Sequence, residues 1–118
     1  MRTIAMIAHD RKKDDLVLFA QRKQAFLRQC RTVATGHTGA QLHDEVGLDV
    51  EIMLSGPHGG DAQIAAKVAT EEIDAVIFLV DPLYAHPHEP DIQMLLRLCN
   101  VHDIPLATNL STAARLLS

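Results

Sequence analysis

The sequence predicts an α/β fold, in which a single three-layer, Rossmann-like domain over residues 1–118 carries helices on both faces of a mainly parallel sheet of about five strands. Short apolar runs alternate with segments of helical periodicity, as βαβ units require. Residues 75–80 are apolar at every position, which is typical of a strand buried on both faces of a parallel sheet. A chain of 118 residues with 47% apolar but only 3% aromatic side chains suits one core of small aliphatic layers.

The first half of the chain alternates strand and helix patterns twice. Residues 4–8 are an apolar run bounded by polar residues, which predicts a buried strand. In residues 11–28 one face repeats apolar side chains at helical spacing, and that face carries Leu16, Phe19, Ala20 and Leu27. Residues 31–34 predict a second brief strand. A glycine-containing loop over residues 35–39 then leads to a short helix at 40–46, which the following glycine can end.

The second half continues the same alternation. Residues 50–54 predict a third strand, residues 61–70 a helix, and residues 75–80 the central strand of the sheet. The remaining elements are a helix, a short strand and a terminal helix, at residues 91–102, 105–107 and 111–117. Because strand and helix alternate throughout, right-handed crossovers predict parallel strands with helices on both faces.

Composition and cysteine content exclude several classes of protein. A net charge of −4 argues against a nucleic-acid-binding surface. The N-terminal apolar run of about six residues is too short for a signal peptide or a membrane span. Cys30 and Cys99 match no metal or redox spacing, so both are interpreted as reduced core thiols. We therefore expect a soluble, cytoplasmic protein that binds neither nucleic acid nor membrane.

Polar residues follow each predicted strand, at the edge where ligands of parallel sheets bind. They are His9, Asp10 and Lys13 after the first strand, Thr35, Gly36, His37 and Thr38 after the second, Ser55 to Asp61 after the third, Asp81, His86 and His88 after the fourth, and Thr108 and Asn109 after the fifth. No single loop is specific, but their convergence predicts one ligand site at this edge.

The glycine-rich turn at residues 55–61 is the most distinctive of these loops. It joins a predicted strand to a predicted helix, so its N–H groups and the helix dipole predict an anion pocket. Asp61, at the end of the turn, is either a base that accepts a proton or a cap of its helix. Lys13 adds a positive charge to the pocket or is an ordinary solvated helix residue. The dinucleotide and P-loop glycine patterns are both absent, which favours a small phosphorylated ligand.

Acidic and histidine side chains crowd the same edge. Asp10, Asp61, Asp81 and Asp91 can raise one another's pKa and serve as proton carriers, although Asp91 also suits a helix cap. His88 is the histidine best placed to polarise a carbonyl group. The number of histidines also raises a transition-metal site as an alternative, but their spacings match no standard zinc pattern.

With these residues in view, the chain resembles the methylglyoxal synthase family over nearly its whole length. The matching stretches are Ile7-Ala8-His9-Asp10 with Lys13, Ala34-Thr35-Gly36 with Thr38-Gly39, Leu54-Ser55-Gly56-Pro57 with Gly59-Gly60-Asp61 and Gln63, Asp81-Pro82-Leu83, Pro87-His88 with Pro90-Asp91, Leu95-Leu96-Arg97-Leu98, and residues 104–109. They occur in order and at the family's spacing, so as a set they are highly specific.

The resemblance implies a lyase that converts dihydroxyacetone phosphate to methylglyoxal and inorganic phosphate through an enediolate, without metal or organic cofactor. Its catalytic base would be Asp61, with His88 and His9 at the carbonyl and hydroxyl end of the substrate and Asp10 and Asp91 as supporting carboxylates. The phosphate cradle would comprise Lys13, Thr35, Gly36, His37, Thr38, Ser55 and Gly56. The family assembles as a homohexamer and is inhibited allosterically by phosphate.

Two positions depart from the family pattern. His37 stands where the family usually has threonine, and His58 stands where leucine or methionine is expected. An alternative is therefore a non-catalytic module of the same fold that binds small effectors or phosphate, like the allosteric domain of carbamoyl-phosphate synthetase. A third hypothesis is a metal site at the histidine-rich edge.

Overall fold

The computed structural model describes residues 1–83 and 92–118, in which five parallel strands form one sheet. The strands are β1 (Thr3–Ala8), β2 (Arg31–Ala34), β3 (Val50–Ile52), β4 (Ala75–Leu79) and β5 (Leu106–Ala107). Their order across the sheet is β3-β2-β1-β4-β5. Each neighbouring pair is parallel. The predicted fold is confirmed, and all five strands end at the same edge of the sheet.

Helices connect these strands and cover the sheet. They are α1 (Lys13–Arg22), α2 (Gln24–Leu27), α3 (Gly36–Gln41), α4 (Gly60–Ala69), α5 (Ile92–His102) and α6 (Leu110–Leu116). Two 3-10 turns, Asp10–Lys12 and Gly56–His58, precede α1 and α4, and a π-helical turn, Leu42–Val46, follows α3.

The side chains of β1 alternate between two apolar cores, one on each face of the sheet. Ile4 and Met6 point to the core beneath α1, α2 and α6, whereas Ala5 and Ile7 point to the core beneath α4 and α5. All five residues of β4 are buried, which confirms the prediction that this strand is covered on both faces. The three-layer arrangement is thus built from period-two alternation in the strands.

Three predicted elements differ from the structure by more than one residue. The helix predicted at residues 11–28 is interrupted at Lys23, where φ is −103° and ψ is 17°, yet the four apolar residues of its predicted face are all buried. The third strand ends at Ile52 rather than residue 54. Helix α3 begins at Gly36, although residues 35–39 were predicted as a loop. Glycine is needed at position 39 for packing, because a Cβ there would lie 2.9 Å from Cγ1 of Ile52.

Both cysteines are free thiols in the structure. Cys99 is buried, and burial raises the pKa of its thiol, whereas Cys30 is only half-buried. Within the described residues, no helix has the length and apolar character that crossing a bilayer requires.

Candidate active site

A cavity of about 290 Å³ opens at the edge where the parallel strands end. Loops after β1, β2 and β3 form its walls. The described residues that line it are Ala8, Asp10, Lys13, Thr35, Gly36, His37, Ser55, Gly56, Pro57 and His58. This volume lies at the small end of ligand pockets, so it suits a small metabolite rather than a dinucleotide.

The glycine-rich turn after β3 is held by its own backbone. The carbonyl oxygen of Ser55 accepts hydrogen bonds from the N–H groups of His58, at 3.0 Å, and Gly60, at 2.9 Å. The N–H of Gly59 donates to the carbonyl of Gly56 at 3.1 Å. The prediction that the N–H groups of this turn point at a ligand is therefore wrong for these three amides, because each is used to close the turn.

The start of α3 presents amide donors instead. The first hydrogen bond of this helix runs from the N–H of Gly39 to the carbonyl of Thr35 at 2.7 Å. The N–H groups of His37 and Thr38 precede this bond and therefore have no acceptor within the helix. Thr35, Gly36 and His37 line the cavity. Amides at a helix start attract anions, so the amides of His37 and Thr38 suit the phosphate cradle in which both residues were predicted.

Lys13 brings a positive charge to the cavity wall. Its Nζ lies 2.9 Å from Oδ1 of Asp10, and both residues line the cavity. The Lys13 side chain is 24% exposed. The neighbouring Lys12 instead lies 3.9 Å from Asp15, and it is not among the described residues that line this cavity. The structure thus favours the interpretation of Lys13 as a pocket residue over that of a solvated surface lysine.

His9 is buried at the end of β1 and held from two sides. Its backbone N–H donates to the carbonyl of Leu79 at 3.0 Å, and its Nδ1 accepts from the N–H of Asp81 at 2.9 Å. Its ring meets Phe78 edge-on, with centroids 5.3 Å apart. Because a backbone N–H can only donate, this contact selects the neutral ring with its proton on Nε2. Among described residues, His9 lies next to the cavity wall in sequence but does not line it.

Asp61 lies in the first turn of α4 and is partly exposed. Its Oδ1 accepts the N–H of Ala62 at 2.9 Å, a local bond that satisfies one amide at the helix start. Asp61 is not one of the described residues that line the cavity. This contact is compatible with both interpretations made from the sequence, so the role of Asp61 as the base stays a prediction.

The remaining predicted site residues fall into three groups. Ser55, Gly56 and His37 line the cavity, as predicted for a phosphate cradle. Thr38 is buried, and its Oγ1 finds no hydrogen-bond partner among the described residues. The loop that carries His86, His88 and Asp91 lies outside the described residues.

The loop after β5 does not join this cavity. Asn109 instead caps α6, since its side-chain oxygen accepts the N–H of Thr112 at 2.9 Å. Of the five loops expected to converge, those after β1, β2 and β3 form the cavity wall, and the loop after β4 contributes the amide that holds His9.

Pro57 and His58 belong to the turn that was predicted at this edge, and both line the wall; sequence reasoning missed the pairing of His58 with Ser55. Ser55 Oγ and His58 Nδ1 lie 2.7 Å apart. The signal in the sequence was the i, i+3 spacing of these two residues, because a 3-10 turn places side chains three residues apart on the same side. Among described residues, no group of three histidine, cysteine or acidic side chains is arranged to hold a metal ion.

Comparison with known proteins gives a consistent result. Residues 15–108 match the family model described as "MGS-like domain". The chain is 62% identical over 112 residues to a methylglyoxal synthase of Ralstonia nicotianae, covering 95% of this chain and 83% of that protein. It is 59% identical over 115 residues to one from Cupriavidus taiwanensis, covering 98% and 86%. A crystal structure of methylglyoxal synthase from Elizabethkingia anophelis superposes with a TM-score of 0.96 at 43% identity, covering 99% of this chain and 77% of that one.

Proposed function

Because the chain belongs to the MGS-like domain family, we propose that it is a methylglyoxal synthase, a lyase that converts dihydroxyacetone phosphate to methylglyoxal and inorganic phosphate. The observation that carries this proposal is 62% identity to a methylglyoxal synthase over 95% of the chain. We propose that the MGS-like domain extends over residues 1–118, beyond the matched range, since the single sheet includes β1.

The phosphate group of the substrate would be held at the start of α3. The amides of His37 and Thr38, the hydroxyl of Ser55 and the charge of Lys13 would supply donors there, and Lys13 and Ser55 line the same cavity. Gly36 lets the start of α3 approach Ser55 closely, because a Cβ at this position would lie 3.2 Å from the backbone nitrogen of Ser55. Thr35 and Gly56 complete the cradle in this proposal.

The reaction needs a base and a fixed torsion. A base takes the proton from the hydroxyl-bearing carbon beside the carbonyl, which leaves an enediolate. The phosphate leaves when its C–O bond stands perpendicular to the enediolate plane, where it overlaps the π system. A rigid phosphate cradle holds that torsion, so positioning is a large part of the catalysis. The proton that completes the methyl group of the product is added after phosphate departs.

We assign the base to Asp61 and the supporting carboxylates to Asp10 and Asp91. His9 and His88 donate hydrogen bonds to the developing oxyanion, an effect worth about 3–4 kcal/mol per donor in other enzymes. The support for His9 is its neutral ring, whose Nε2 carries a proton to donate because Nδ1 is already an acceptor.

The assembly and location are proposals as well. We propose a homohexamer that phosphate inhibits, as in the family. Exposed apolar side chains at Ile52, on the sheet-edge strand β3, and at Leu54 support contact with other copies of the chain. We propose a cytoplasmic location, which the two free thiols support because reducing compartments preserve them.

One assay tests this proposal against its two alternatives. Purified protein is incubated with dihydroxyacetone phosphate, and release of methylglyoxal and phosphate is followed with and without a chelator. Turnover that a chelator leaves unchanged supports the lyase. Saturable phosphate binding without turnover would instead indicate a regulatory module of the same fold. Turnover that a chelator abolishes would indicate a metal site at the histidine-rich edge.

A further inference from the structure

Ser55 and His58 form a side-chain pair in the wall of the cavity. Ser55 Oγ lies 2.7 Å from His58 Nδ1, and both residues line the cavity. The turn between them is fixed, because the carbonyl of Ser55 accepts two backbone hydrogen bonds and Gly59 adopts a left-handed φ of 99°. The two side chains therefore project from a turn whose backbone conformation holds them within hydrogen-bond distance.

This contact has two arrangements, which differ in whether Ser55 or His58 donates the hydrogen bond. When Nδ1 carries no proton, it accepts a hydrogen bond from the hydroxyl of Ser55, and the serine oxygen then offers only lone pairs to its surroundings. When Nδ1 is protonated, it donates to Oγ, and the hydroxyl proton of Ser55 becomes available for another acceptor. Only the second arrangement makes Ser55 a donor toward an anion in the cavity.

We propose that His58 is a positioning residue that turns the hydroxyl of Ser55 toward the phosphate group of the ligand. The inference rests on the proposed function for the identity of that ligand. A bound phosphate selects the arrangement in which Nδ1 donates, because the alternative places a serine lone pair against an anion. Protonation of the His58 ring enforces this arrangement, so phosphate binding and proton uptake are linked.

Other charged groups set the background for this linkage. Asp10 and Lys13, which form an ion pair of 2.9 Å, line the same cavity, and so does His37 in α3. Asp61 stands in the first turn of α4, directly after the glycine-rich turn. The wild type and every His58 variant contain these same groups, and the phosphate ligand titrates identically in all of the measurements. Ratios of dissociation constants between variants therefore isolate the contribution of His58.

The test measures the dissociation constant of inorganic phosphate by calorimetry at about pH 6 and about pH 8.5. His58 is exposed, so His58→Leu and His58→Gln are expected to fold, which thermal unfolding checks. At about pH 6, His58→Leu is expected to weaken phosphate binding about three- to tenfold, the worth of one hydrogen bond. The difference is expected to be smaller at about pH 8.5, because a protonated ring is obliged to donate from Nδ1 whereas a neutral ring can also accept there.

Two further variants separate a relay from a direct contact. His58→Gln keeps a side-chain N–H donor at every pH, so it should bind more tightly than His58→Leu and lose the pH dependence. In a Ser55→Ala background, His58→Leu should have no added effect, since the hydroxyl that it orients is gone. His43→Leu is the matched control, because His43 is also exposed and does not line the cavity among the described residues.

Steady-state kinetics gives an independent readout. An interaction with the phosphate group that acts equally in the ground and transition states changes KM and leaves kcat nearly constant. His58→Leu should therefore raise KM by the same factor as the dissociation constant. An equal effect of His58→Leu in the presence and absence of Ser55, or no difference from His43→Leu, would overturn the inference.

Phosphate binding separates this inference from the proposed function. If the wild type turns over substrate and His58→Leu binds phosphate as the control does, the proposed function stands and the inference is overturned. If phosphate binding depends on His58 as expected but the wild type shows no turnover, the inference stands and the proposed function is overturned. Absence of phosphate binding by the wild type at millimolar concentration overturns the inference.

Discussion

The backbone N–H of Asp81 donates to Nδ1 of His9 across 2.9 Å, and the contact joins the ends of β4 and β1. Strand pairing makes this contact possible, because the register pairs Ala8, one residue before His9, with Leu79, two residues before Asp81. A backbone N–H cannot reverse its role, so His9 is held as a neutral ring with its proton on Nε2. A neutral imidazole with a fixed proton is suited to donate to an oxyanion.

The role of His9 as a donor is tested by His9→Asn. The shorter amide can still accept from Asp81, but it places no N–H at the position of Nε2. We expect kcat to fall about 100- to 1000-fold, the usual cost of one oxyanion donor, while the protein remains folded. Turnover and thermal unfolding are compared with those of His43→Asn, an exposed control. A decrease of less than about threefold would show that His9 is structural.

Asp61→Asn tests the assignment of the base. Asparagine keeps an oxygen that can accept the N–H of Ala62, so the start of α4 is preserved. We expect turnover to be abolished, because the amide cannot take a proton. Phosphate binding should be unchanged or tighter, because a negative charge near an anion is removed.

Turnover and calorimetric phosphate binding measure these two effects separately. Asp44→Asn serves as the control, since Asp44 is an exposed acid whose contact is with His43. Weaker phosphate binding by Asp61→Asn would contradict the position assigned to this carboxylate, whatever its effect on turnover.

Two adjacent lysines provide a matched test of the phosphate site. Lys13 lines the cavity, whereas its neighbour Lys12 pairs with Asp15 at 3.9 Å. Lys13→Met should raise KM for dihydroxyacetone phosphate roughly 10- to 100-fold, since a hydrogen bond to a charged group contributes about 1.5–3 kcal/mol. Lys12→Met should change KM by less than about twofold. Equal effects in both variants would indicate long-range attraction rather than a contact.

Gly60→Ala tests how tightly the glycine-rich turn approaches β3. A Cβ at Gly60 would lie 1.7 Å from the carbonyl oxygen of Leu54, so the backbone would have to move. We expect a loss of roughly 3 kcal/mol or more in the free energy of unfolding by urea. Gly47→Ala is the control, because its φ of 78° costs strain but its Cβ meets only Arg28 Nη2 at 3.9 Å. A loss of about 1 kcal/mol is expected there.

The fold followed from local patterns with few exceptions. The segment at residues 31–34 was predicted as a strand with the same bounds as β2, and the apolar run at residues 75–80 predicts β4 to within one residue. Helix α3 was missed at its start because Gly36 and Gly39 suggest a loop. Their lack of side chains instead permits contact with Ser55 and Ile52, two residues of the next βα unit. Close packing between distant segments leaves no local signal in a sequence.

The candidate site, like the fold, was predicted from the sequence only in part. Lys13, Ser55 and Gly56 were placed at the cavity by their positions after strands, and the structure places them there. The amides of His58, Gly59 and Gly60, which the prediction left open for a ligand, instead donate to backbone carbonyls of the turn. Hydrogen-bond partners depend on the conformation of a turn, and the carbonyl of Ser55 captures two of the amides that the prediction left open.

The sequence by itself determined the parallel sheet, the edge at which the candidate site lies and the residue types that gather there, because hydrophobic periodicity and strand order depend on neighbours along the chain. Only the tertiary structure decided which way His9 carries its proton, which amides remain for an anion and that His58 contacts Ser55. These features depend on distances of about 3 Å between atoms that folding brings together, and such distances are set by backbone conformation and packing rather than by residue order.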